Sequence, residues 1–442
     1  PRFDWDYDVD GRLRAASATG AARLSFHYDR GLPLAVRWEG SSIDARVDVP
    51  LDGDLMPASL TVNVAPLSGG SVDAPAPVND TTTRFSYDQD MLLRRIDHEA
   101  RSGPLGGALP PFEIRRSSAS PRVECTRMGT IATRYSWSGL GELKGTTTFV
   151  DSNGDCFQDA SDTVVFGYGV EYDALGRVSS ESELGTLRHS YRNSYRYDST
   201  SGRLLGANVY PHGAGAPVRA QATYDPDGNV LSATTSLYDP AVGFEAAQEV
   251  DVQATEIAVD LNDRMTRFGS RQYTFHTNGF VASIVDPDRG QSMTLTYDRF
   301  GGLLGASGSV GTVTYTLDAV GRRVGRSQGT DVKRWVYQDA LRPVAQLDAS
   351  GAVTQRYVHA TRMSTPDYII DLAGAQPRLL TVIADIRGSV RAVVDQNGVA
   401  VQEIDYDPWG NVIRDTNPGF QPFGYAGGMY DPATQLTRFG AR

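Results

Sequence analysis

The chain has few of the features that usually announce a function. Its 442 residues include two cysteines, too few to indicate a redox compartment. No stretch approaches the about 18 apolar residues of a membrane-spanning helix. The formal charge of −11, from 53 acidic and 42 basic residues, offers no basic surface for nucleic acid or anionic lipid. We therefore expect no nucleic-acid partner and no membrane insertion by this chain.

The termini carry no targeting pattern, and the residue patterns typical of catalytic sites or of histidine metal sites are missing. The opening PRFDWDYDVDG lacks the basic-then-apolar pattern of a signal peptide, so we interpret the chain as a fragment without targeting information at its ends. No metal-binding His-x-x-x-His pattern occurs, and the glycine-rich stretches lack the strand-loop-helix context of a phosphate site. We expect no catalytic residue and no enzymatic activity. The six histidines are scattered singly, at positions His27, His98, His189, His212, His276 and His359.

Turn-forming and strand-forming residues are abundant. The 46 glycines, 23 prolines and 21 tyrosines, with few long stretches of helical period, are typical of many short strands separated by turns. At this length the chain is several domains or one repetitive array, and repetition is the better interpretation. The sequence predicts an all-β protein.

One phrase recurs along the chain, in which an aspartate is followed three residues later by a glycine. Aspartate is favoured at the first position of a type I turn, and glycine at the fourth, where φ becomes positive. Such a turn closes a β-hairpin. The five instances preceded by tyrosine are Tyr7-Asp8 to Gly11, Tyr172-Asp173 to Gly176, Tyr224-Asp225 to Gly228, Tyr297-Asp298 to Gly301 and Tyr406-Asp407 to Gly410; others begin at Asp318, Asp348 and Asp395. Variants without the aspartate are predicted from Ser136 to Gly139 and from His276 to Gly279.

The repeats follow a regular spacing late in the chain. The residues preceding the turns fall at Tyr297, Leu317, Tyr337 and Tyr357, twenty residues apart. Twenty residues accommodate two strands and two turns, and a lone hairpin is marginally stable, so the units must stack on one another. We interpret the tyrosines and aspartates of the repeat as structural. A row of tyrosine and arginine side chains is also compatible with a sugar-binding face.

One acidic segment, DSNGDCFQDASD, stands apart from the repeat. Asp151, Asn153, Asp155, Asp159 and Asp162 occupy positions 1, 3, 5, 9 and 12 of a calcium-binding loop, and Phe157 at position 7 offers its carbonyl. Position 6 is Cys156 where glycine is usual, and position 12 is aspartate where glutamate is usual. The segment is either a calcium site or a solvated acidic turn. Cys125 and Cys156 lie in the same irregular region, and whether they pair stays open.

The repeated YDxxGRL phrase resembles the YD repeats of the Rhs (rearrangement hotspot) family, whose relatives include the C component of Tc insecticidal toxins and the teneurins. The most specific blocks lie near the C-terminus and look like the Rhs-associated core. They are LRPVAQLDASGAVTQRYVHA (341–360), VIADIRGSVRAVVDQNGVAVQEIDYDPWGNVI (382–413) and PFGYAGGMYDPATQLTRFGAR (422–442).

The resemblance implies a specific architecture and role. In that family the hairpins form a continuous antiparallel sheet that spirals into a hollow shell, and the shell encloses a toxic C-terminal polypeptide. We therefore predict a partial shell in residues 1–335, with irregular stretches at about 35–80 and 97–165, and a core segment in residues 336–442. The aspartyl-protease-like motif of many members lies beyond the final RFGAR, so no cleavage site is assigned.

The implied function is a non-enzymatic scaffold that sequesters a C-terminal toxin or effector in a secreted toxin. A second shell-forming protein is an expected partner. The alternative is a cell-surface module that binds glycans or proteins in adhesion, for which an exposed aromatic stripe is the expected sign. Either role implies a secreted or bacterial cell-surface location.

Overall fold

The structure is a computed structural model that describes residues 3–18, 22–29, 31–40, 43–65, 81–100, 109–187, 191–209, 218–237, 250–407 and 409–440. Strands dominate these ranges, and their only helices are single 3₁₀ turns at Pro287–Arg289 and Tyr425–Gly427. The prediction of an all-β chain is confirmed.

The strands number thirty-seven in the described ranges. In chain order they are β1 Phe3–Tyr7, β2 Leu13–Ala18, β3 Arg23–Asp29, β4 Leu32–Gly40, β5 Ile43–Asp48, β6 Ser59–Val64, β7 Thr81–Tyr87, β8 Leu93–Ala100, β9 Phe112–Arg116, β10 Val123–Met128, β11 Ile131–Trp137, β12 Leu143–Val150, β13 Thr163–Tyr172, β14 Val178–Leu184, β15 Tyr191–Tyr197, β16 Leu204–Val209, β17 Val218–Tyr224, β18 Val230–Leu237, β19 Val250–Thr255, β20 Ile257–Val259, β21 Met265–Phe268, β22 Arg271–Phe275, β23 Val281–Asp286, β24 Gln291–Tyr297, β25 Leu303–Gly308, β26 Gly311–Leu317, β27 Arg323–Gln328, β28 Asp331–Tyr337, β29 Pro343–Leu347, β30 Val353–Val358, β31 Tyr368–Asp371, β32 Arg378–Ala384, β33 Val390–Val394, β34 Ala400–Tyr406, β35 Val412–Asp415, β36 Met429–Asp431 and β37 Leu436–Arg438.

Nearly every strand pairs with the next one along the chain, and all pairs are antiparallel. Strands β1 to β19 form one sheet of 19 strands, β20 to β35 form a second of 16, and β36 and β37 form a small hairpin. In the part of the chain that the structure describes, neither long sheet closes into a barrel, which agrees with a partial shell. The predicted boundary at residue 335 lies inside β28, whereas the change of sheet falls between β19 and β20.

The stretches expected to be irregular continue the same ladder where they are described. Residues of 35–80 form most of β4 together with β5 and β6, and those of 97–165 complete β8 and supply β9 to β12. Residues 66–80 and 101–108 of these stretches lie outside the described ranges. The Asp-x-x-Gly turn is therefore only one of several turns that this sheet uses.

The two long sheets pack face to face over several hydrophobic clusters. In the largest, Leu24, Trp38 and Val62 of the first sheet meet Val336 and Leu380 of the second, all fully buried. A second cluster joins β8 to β10 with β30 to β32, and a third joins β13 with β32 and β33. Because strand side chains alternate between faces, one face of each early strand supplies this core. Several late strands, such as β29 and β33, are instead buried throughout their length.

Candidate functional site at the interface of the two sheets

The repeat turns share one hydrogen-bonding pattern. At Asp8, the Gly11 N–H donates to the aspartate carbonyl at 3.0 Å, which closes a type I turn. The nine turns that begin with aspartate and end with glycine close at 3.0 to 3.3 Å, and their glycines have φ between 75° and 102°. A side chain other than glycine is strained there. These turns are at Gly11, Gly176, Gly228, Gly301, Gly321, Gly351, Gly388, Gly398 and Gly410.

The aspartate side chain organises the rest of each loop. One Asp8 oxygen accepts the N–H groups of Asp10 and Arg12, each at 2.9 Å, and the other accepts Arg12 Nε at 2.8 Å. The pKa of Asp8 is lowered, chiefly by the Arg12 N–H. At Asp225 the residue after the glycine is Asn229, whose amide replaces the arginine and donates at 2.9 Å. This contact explains the arginine or asparagine that follows the glycine at five of these turns, namely Arg12, Arg177, Asn229, Arg322 and Asn411.

In five repeats the tyrosine joins its hairpin to the preceding one. The Tyr197 hydroxyl donates to the Val178 carbonyl at 2.8 Å, and Val178 begins the return strand of the previous hairpin. Arg177 also stacks 4.6 Å from the Tyr197 ring centroid. The same hydroxyl-to-carbonyl bond occurs from Tyr172 to Leu143, from Tyr224 to Leu204, from Tyr337 to Arg323 and from Tyr406 to Val390. Tyr7, on the first strand, is 57% exposed, and Tyr297 stacks on Phe280 with ring centroids 5.2 Å apart.

Some turns differ from the sequence prediction. The turn expected from Ser136 to Gly139 lies two residues later, where the Gly141 N–H donates to the Ser138 carbonyl and Trp137 takes the tyrosine position. The Asp-x-x-Gly pattern does not predict the equivalent turns at Asp88 and Asp260, because Met91 and Asp263 occupy the positive-φ position in place of glycine. The tyrosine before Asp88, Tyr87, is the sequence feature that indicates a repeat turn at this position.

The acidic segment is held by hydrogen bonds within its own loop. Asp151 accepts the N–H groups of Gly154 at 2.8 Å and Cys156 at 3.1 Å. Asp162 accepts the N–H groups of Ser152 and Asp159, and these bonds lower its pKa. The Asn153 amide donates to Asp155 at 3.1 Å and to Asp159 at 3.2 Å, while Phe157 stacks under Arg134.

Calcium binding by this loop stays a prediction. Within the described ranges, no group of three or more histidine, cysteine or acidic side chains is arranged to hold a metal ion. A calcium titration followed by thermal unfolding, with Asn153→Ala and Asp155→Ala as variants, tests it. The pairing of the two cysteines is settled by the structure, since Cys125 of β10 forms a disulfide with Cys156 of the loop.

Buried ionic contacts cross between the two sheets. Arg387, in the turn between β32 and β33, pairs with Glu181 of β14 at 2.8 Å and with Asp385 at 3.1 Å. The Tyr168 hydroxyl donates to the same Glu181 at 2.6 Å. Burial raises the pKa of Asp385, although Arg387 opposes this shift. Glu183 and Arg391 form a parallel contact at 3.0 Å, so two carboxylate–guanidinium pairs connect the layers.

The segment 418–438 packs into this interface. Phe423 and Met429 belong to the largest hydrophobic cluster, and Asp431 is 4% exposed. Asp431 pairs with Arg326 of β27 at 3.1 Å and accepts the Tyr315 hydroxyl at 2.7 Å. Burial favours protonation of Asp431, but these two donors outweigh it and lower its pKa. These contacts thus hold the last described strands, β36 and β37, at the interface between the two long sheets.

Two histidines lie within the same interface. His98 Nε2 bonds the Tyr368 hydroxyl across the layers, and His359 Nε2 lies 3.1 Å from the Pro343 carbonyl. Burial lowers the pKa of both to about 4, with Arg356 adding to the effect at His98. Sequence reasoning gave neither histidine a role, because their surroundings come from strands far apart in the chain.

These features define the class of protein: a repeat-built β-shell scaffold whose late strands and C-terminal segment fold against the face of its early strands. A family model described as the teneurin YD-shell matches residues 159–442. The chain belongs to this YD-repeat family. In the described ranges, no helix is both long and apolar enough to cross a membrane.

The chain is similar in sequence to known teneurins. Human teneurin-4 is 30% identical over 292 residues, which cover 63% of this chain and 9% of teneurin-4. Teneurin-m of Drosophila melanogaster is 30% identical over 412 residues, covering 80% of this chain and 14% of the relative. The chain therefore spans a small part of the length of these relatives.

Solved structures show the same fold at low identity. The TcdB2-TccC3 crystal structure matches with a TM-score of 0.56 and 16% identity, covering all of this chain and 26% of the solved chain. A Tc holotoxin pore from Photorhabdus luminescens matches with a TM-score of 0.52 and 13% identity, covering all of this chain and 26% of the solved chain.

Proposed function

We propose that this chain is part of the wall of a non-enzymatic encapsulating scaffold, which sequesters a C-terminal toxin or effector polypeptide in a secreted Rhs- or Tc-type toxin. The observation that carries the proposal is the inward packing of segment 418–438, where Phe423 and Met429 enter the core between the layers. A continuous sheet also suits this role, because it presents few unpaired edges that would promote aggregation.

We further infer an extracellular or cell-surface setting and a second shell-forming partner. The Cys125–Cys156 disulfide supports an oxidising environment, since disulfides persist mainly outside the cytosol. The open ends of the long sheets support a partner that completes the enclosure, as unpaired strand edges are normally covered.

Protease protection tests the encapsulation. A small reporter domain is fused after Arg442 through a cleavable linker, and a matched fusion places the same linker and reporter before Pro1. Encapsulation predicts cleavage of the C-terminal linker at least about tenfold more slowly than cleavage of the N-terminal linker. Equal cleavage rates would show that this chain alone does not enclose a C-terminal polypeptide.

An exposed aromatic group favours a second candidate function, adhesion through glycan or protein binding. Phe3 stacks with Trp5 at a centroid distance of 5.9 Å, and Phe300 packs edge-on against Phe3 at 4.9 Å. Trp5 is 45% and Phe300 63% exposed, and Tyr7 lies on the same strand as Trp5. Exposed rings of this kind provide stacking surfaces for sugars and partner proteins.

A glycan array and a Trp5→Ala variant test this second function. Binding that is lost in Trp5→Ala but kept in the matched Trp137→Phe variant, whose ring lies in a repeat turn, would support it. An array without any saturable binding would contradict the glycan form of the hypothesis.

A further inference from the structure

A cavity of about 200 Å³ lies between strands β27 to β29 and the segment 418–433. Three cationic side chains, Arg323, Arg326 and Lys333, line it together with the two carboxylates Asp331 and Asp431. Three positive against two negative groups leave a formal excess of one positive charge. The side chain of Asp331 is 55% exposed, so the cavity communicates with solvent.

Two of the three cations are already engaged. Arg326 contacts Asp431 through two nitrogens, at 3.1 and 3.3 Å, and also pairs with Asp331. The Lys333 ammonium donates to the Gly419 carbonyl. The acceptor of Lys333 is neutral, so positive charge remains on both Lys333 and Arg323, and of these two only Arg323 has a buried N–H group without an acceptor among the described residues.

Arg323 is buried, and within the described ranges its side chain forms no ion pair with a carboxylate, although Asp431 lies near enough to attract it. The residue is 4% exposed, and its Nε is buried and has no hydrogen-bond acceptor among the described residues. The guanidinium carbon lies 3.8 Å from the Tyr315 ring centroid, which is a close cation–π contact. Burial lowers the pKa of Arg323, and nearby Arg438 adds to this effect. A buried guanidinium with an unused donor is costly unless a ligand supplies the acceptor.

We propose that this cavity is a binding site for a carboxylate, held by Arg323 at the junction of β27 with the C-terminal segment. A planar carboxylate matches the arginine fork and supplies the missing acceptor. A single negative charge balances the excess, whereas a dianion such as phosphate would be repelled by Asp331 and Asp431. The carboxylate belongs either to a free small molecule or to an acidic side chain of a polypeptide inside the shell.

Ligand titration of the folded chain tests the site. Propionate is the probe for a free carboxylate, and propionamide at matched ionic strength is its neutral control. Binding is followed by thermal unfolding and by the fluorescence of Trp335, which lines the cavity. We expect a saturable rise in melting temperature with propionate alone. A response equal to that of propionamide, or no saturable response, would overturn the proposal.

Substitution of Arg323 separates binding from a structural role. Arg323→Lys keeps the charge without the fork and should weaken propionate at least about tenfold. Arg323→Met removes the uncompensated charge while retaining the length of the side chain, so its ligand-free melting temperature should equal or exceed that of the parent, with no response to propionate. Arg299→Met, at an exposed turn position, is the matched control. Arg323 variants that still bind propionate like the parent would refute the assignment.

A third experiment distinguishes a free small molecule from a polypeptide side chain as the source of the carboxylate. An acidic peptide with a single glutamate is compared with its glutamine counterpart and with propionate. Binding of the glutamate peptide about tenfold tighter than propionate would assign the site to a polypeptide side chain. Tighter binding of propionate than of the peptide would assign it to a free small molecule. The result is independent of encapsulation, because the site is part of the chain itself.

Discussion

The turn at Asp8 and the turn at Asp318 have the same hydrogen bonds but opposite surroundings. In both, the aspartate carboxylate accepts the N–H groups two and four residues later and binds the arginine Nε, at 2.8 Å for Arg12 and 2.7 Å for Arg322. The first pair is partly exposed, with side chains at 33% and 25%, whereas the second is buried at 6% and 0%. The local sequence therefore determines the geometry of the turn, whereas packing between the sheets determines how much the turn contributes to the free energy of unfolding.

The surroundings of Asp318 come from the other sheet. Trp38 of β4 directs its indole N–H at the carboxylate at 3.4 Å, and Arg322 stacks 4.9 Å from the Trp38 ring centroid. The hairpin thus serves twice, as a turn and as a contact between layers. Replacing either partner leaves the other charge buried without its counter-ion.

Asp318→Ala is the most damaging substitution that we predict. It leaves the buried Arg322 guanidinium without its counter-ion, and breaking a buried ion pair costs about 3 to 5 kcal/mol of unfolding free energy. Chemical unfolding measures the loss, with Asp8→Ala as the matched control in the same turn. The control should lose less than half as much, because water replaces the lost contacts there. Equal losses would show that burial between the sheets does not strengthen the turn.

This comparison also shows how far the sequence predicts the fold. The Asp-x-x-Gly spacing predicts hairpins and an all-β ladder because the turn depends on four neighbouring residues. The burial of Asp318 depends on Trp38, 280 residues away, and the pairing of Glu181 with Arg387 spans 206 residues. Periodicity contains no information about such contacts. The unpartnered Arg323 likewise becomes visible only once the C-terminal segment is placed.

Loss of the disulfide is the next largest expected effect, and it concerns the early sheet alone. Cys125 and Cys156 close a loop with a sequence separation of 31. The chain-entropy model gives such a loop a stabilisation between about 3 and 4 kcal/mol. A Cys125→Ser/Cys156→Ser variant should unfold at correspondingly lower denaturant. Unchanged stability under reducing and oxidising conditions would contradict this expectation.

Acid should weaken the interface between the sheets through its buried histidines. The folded pKa of His98 is about 4, below its usual 6.5, so the unfolded chain binds the proton more readily. The contribution of His98 is therefore full above about pH 6.5, falls as the pH drops and levels off near pH 4, with a total loss on the order of 3 kcal/mol.

Unfolding free energies measured across this range test the histidine. His98→Gln should reduce the slope between about pH 6.5 and 4 relative to the parent, because His98 no longer titrates, and the slope that remains is attributed to His359, whose pKa is also about 4. His27→Gln, at an exposed position of β3, is the matched control and should keep the parental slope. A parental slope in His98→Gln would assign the acid sensitivity to other groups.

The tyrosine ladder gives the smallest predicted effect and the finest test of the comparison. Tyr197→Phe removes the hydroxyl that binds the Val178 carbonyl, and the expected cost is about 1 kcal/mol because water reaches this partly exposed site. Tyr337→Phe removes the equivalent bond to Arg323 in a fully buried site and should cost about 2 kcal/mol, since the carbonyl then lacks a partner. Tyr7→Phe, on the exposed first strand, should leave the unfolding free energy unchanged. If all three substitutions lower the unfolding free energy equally, the tyrosine hydroxyls contribute equally to stability along the chain. The difference between exposed and buried hairpins would then come only from their charged side chains.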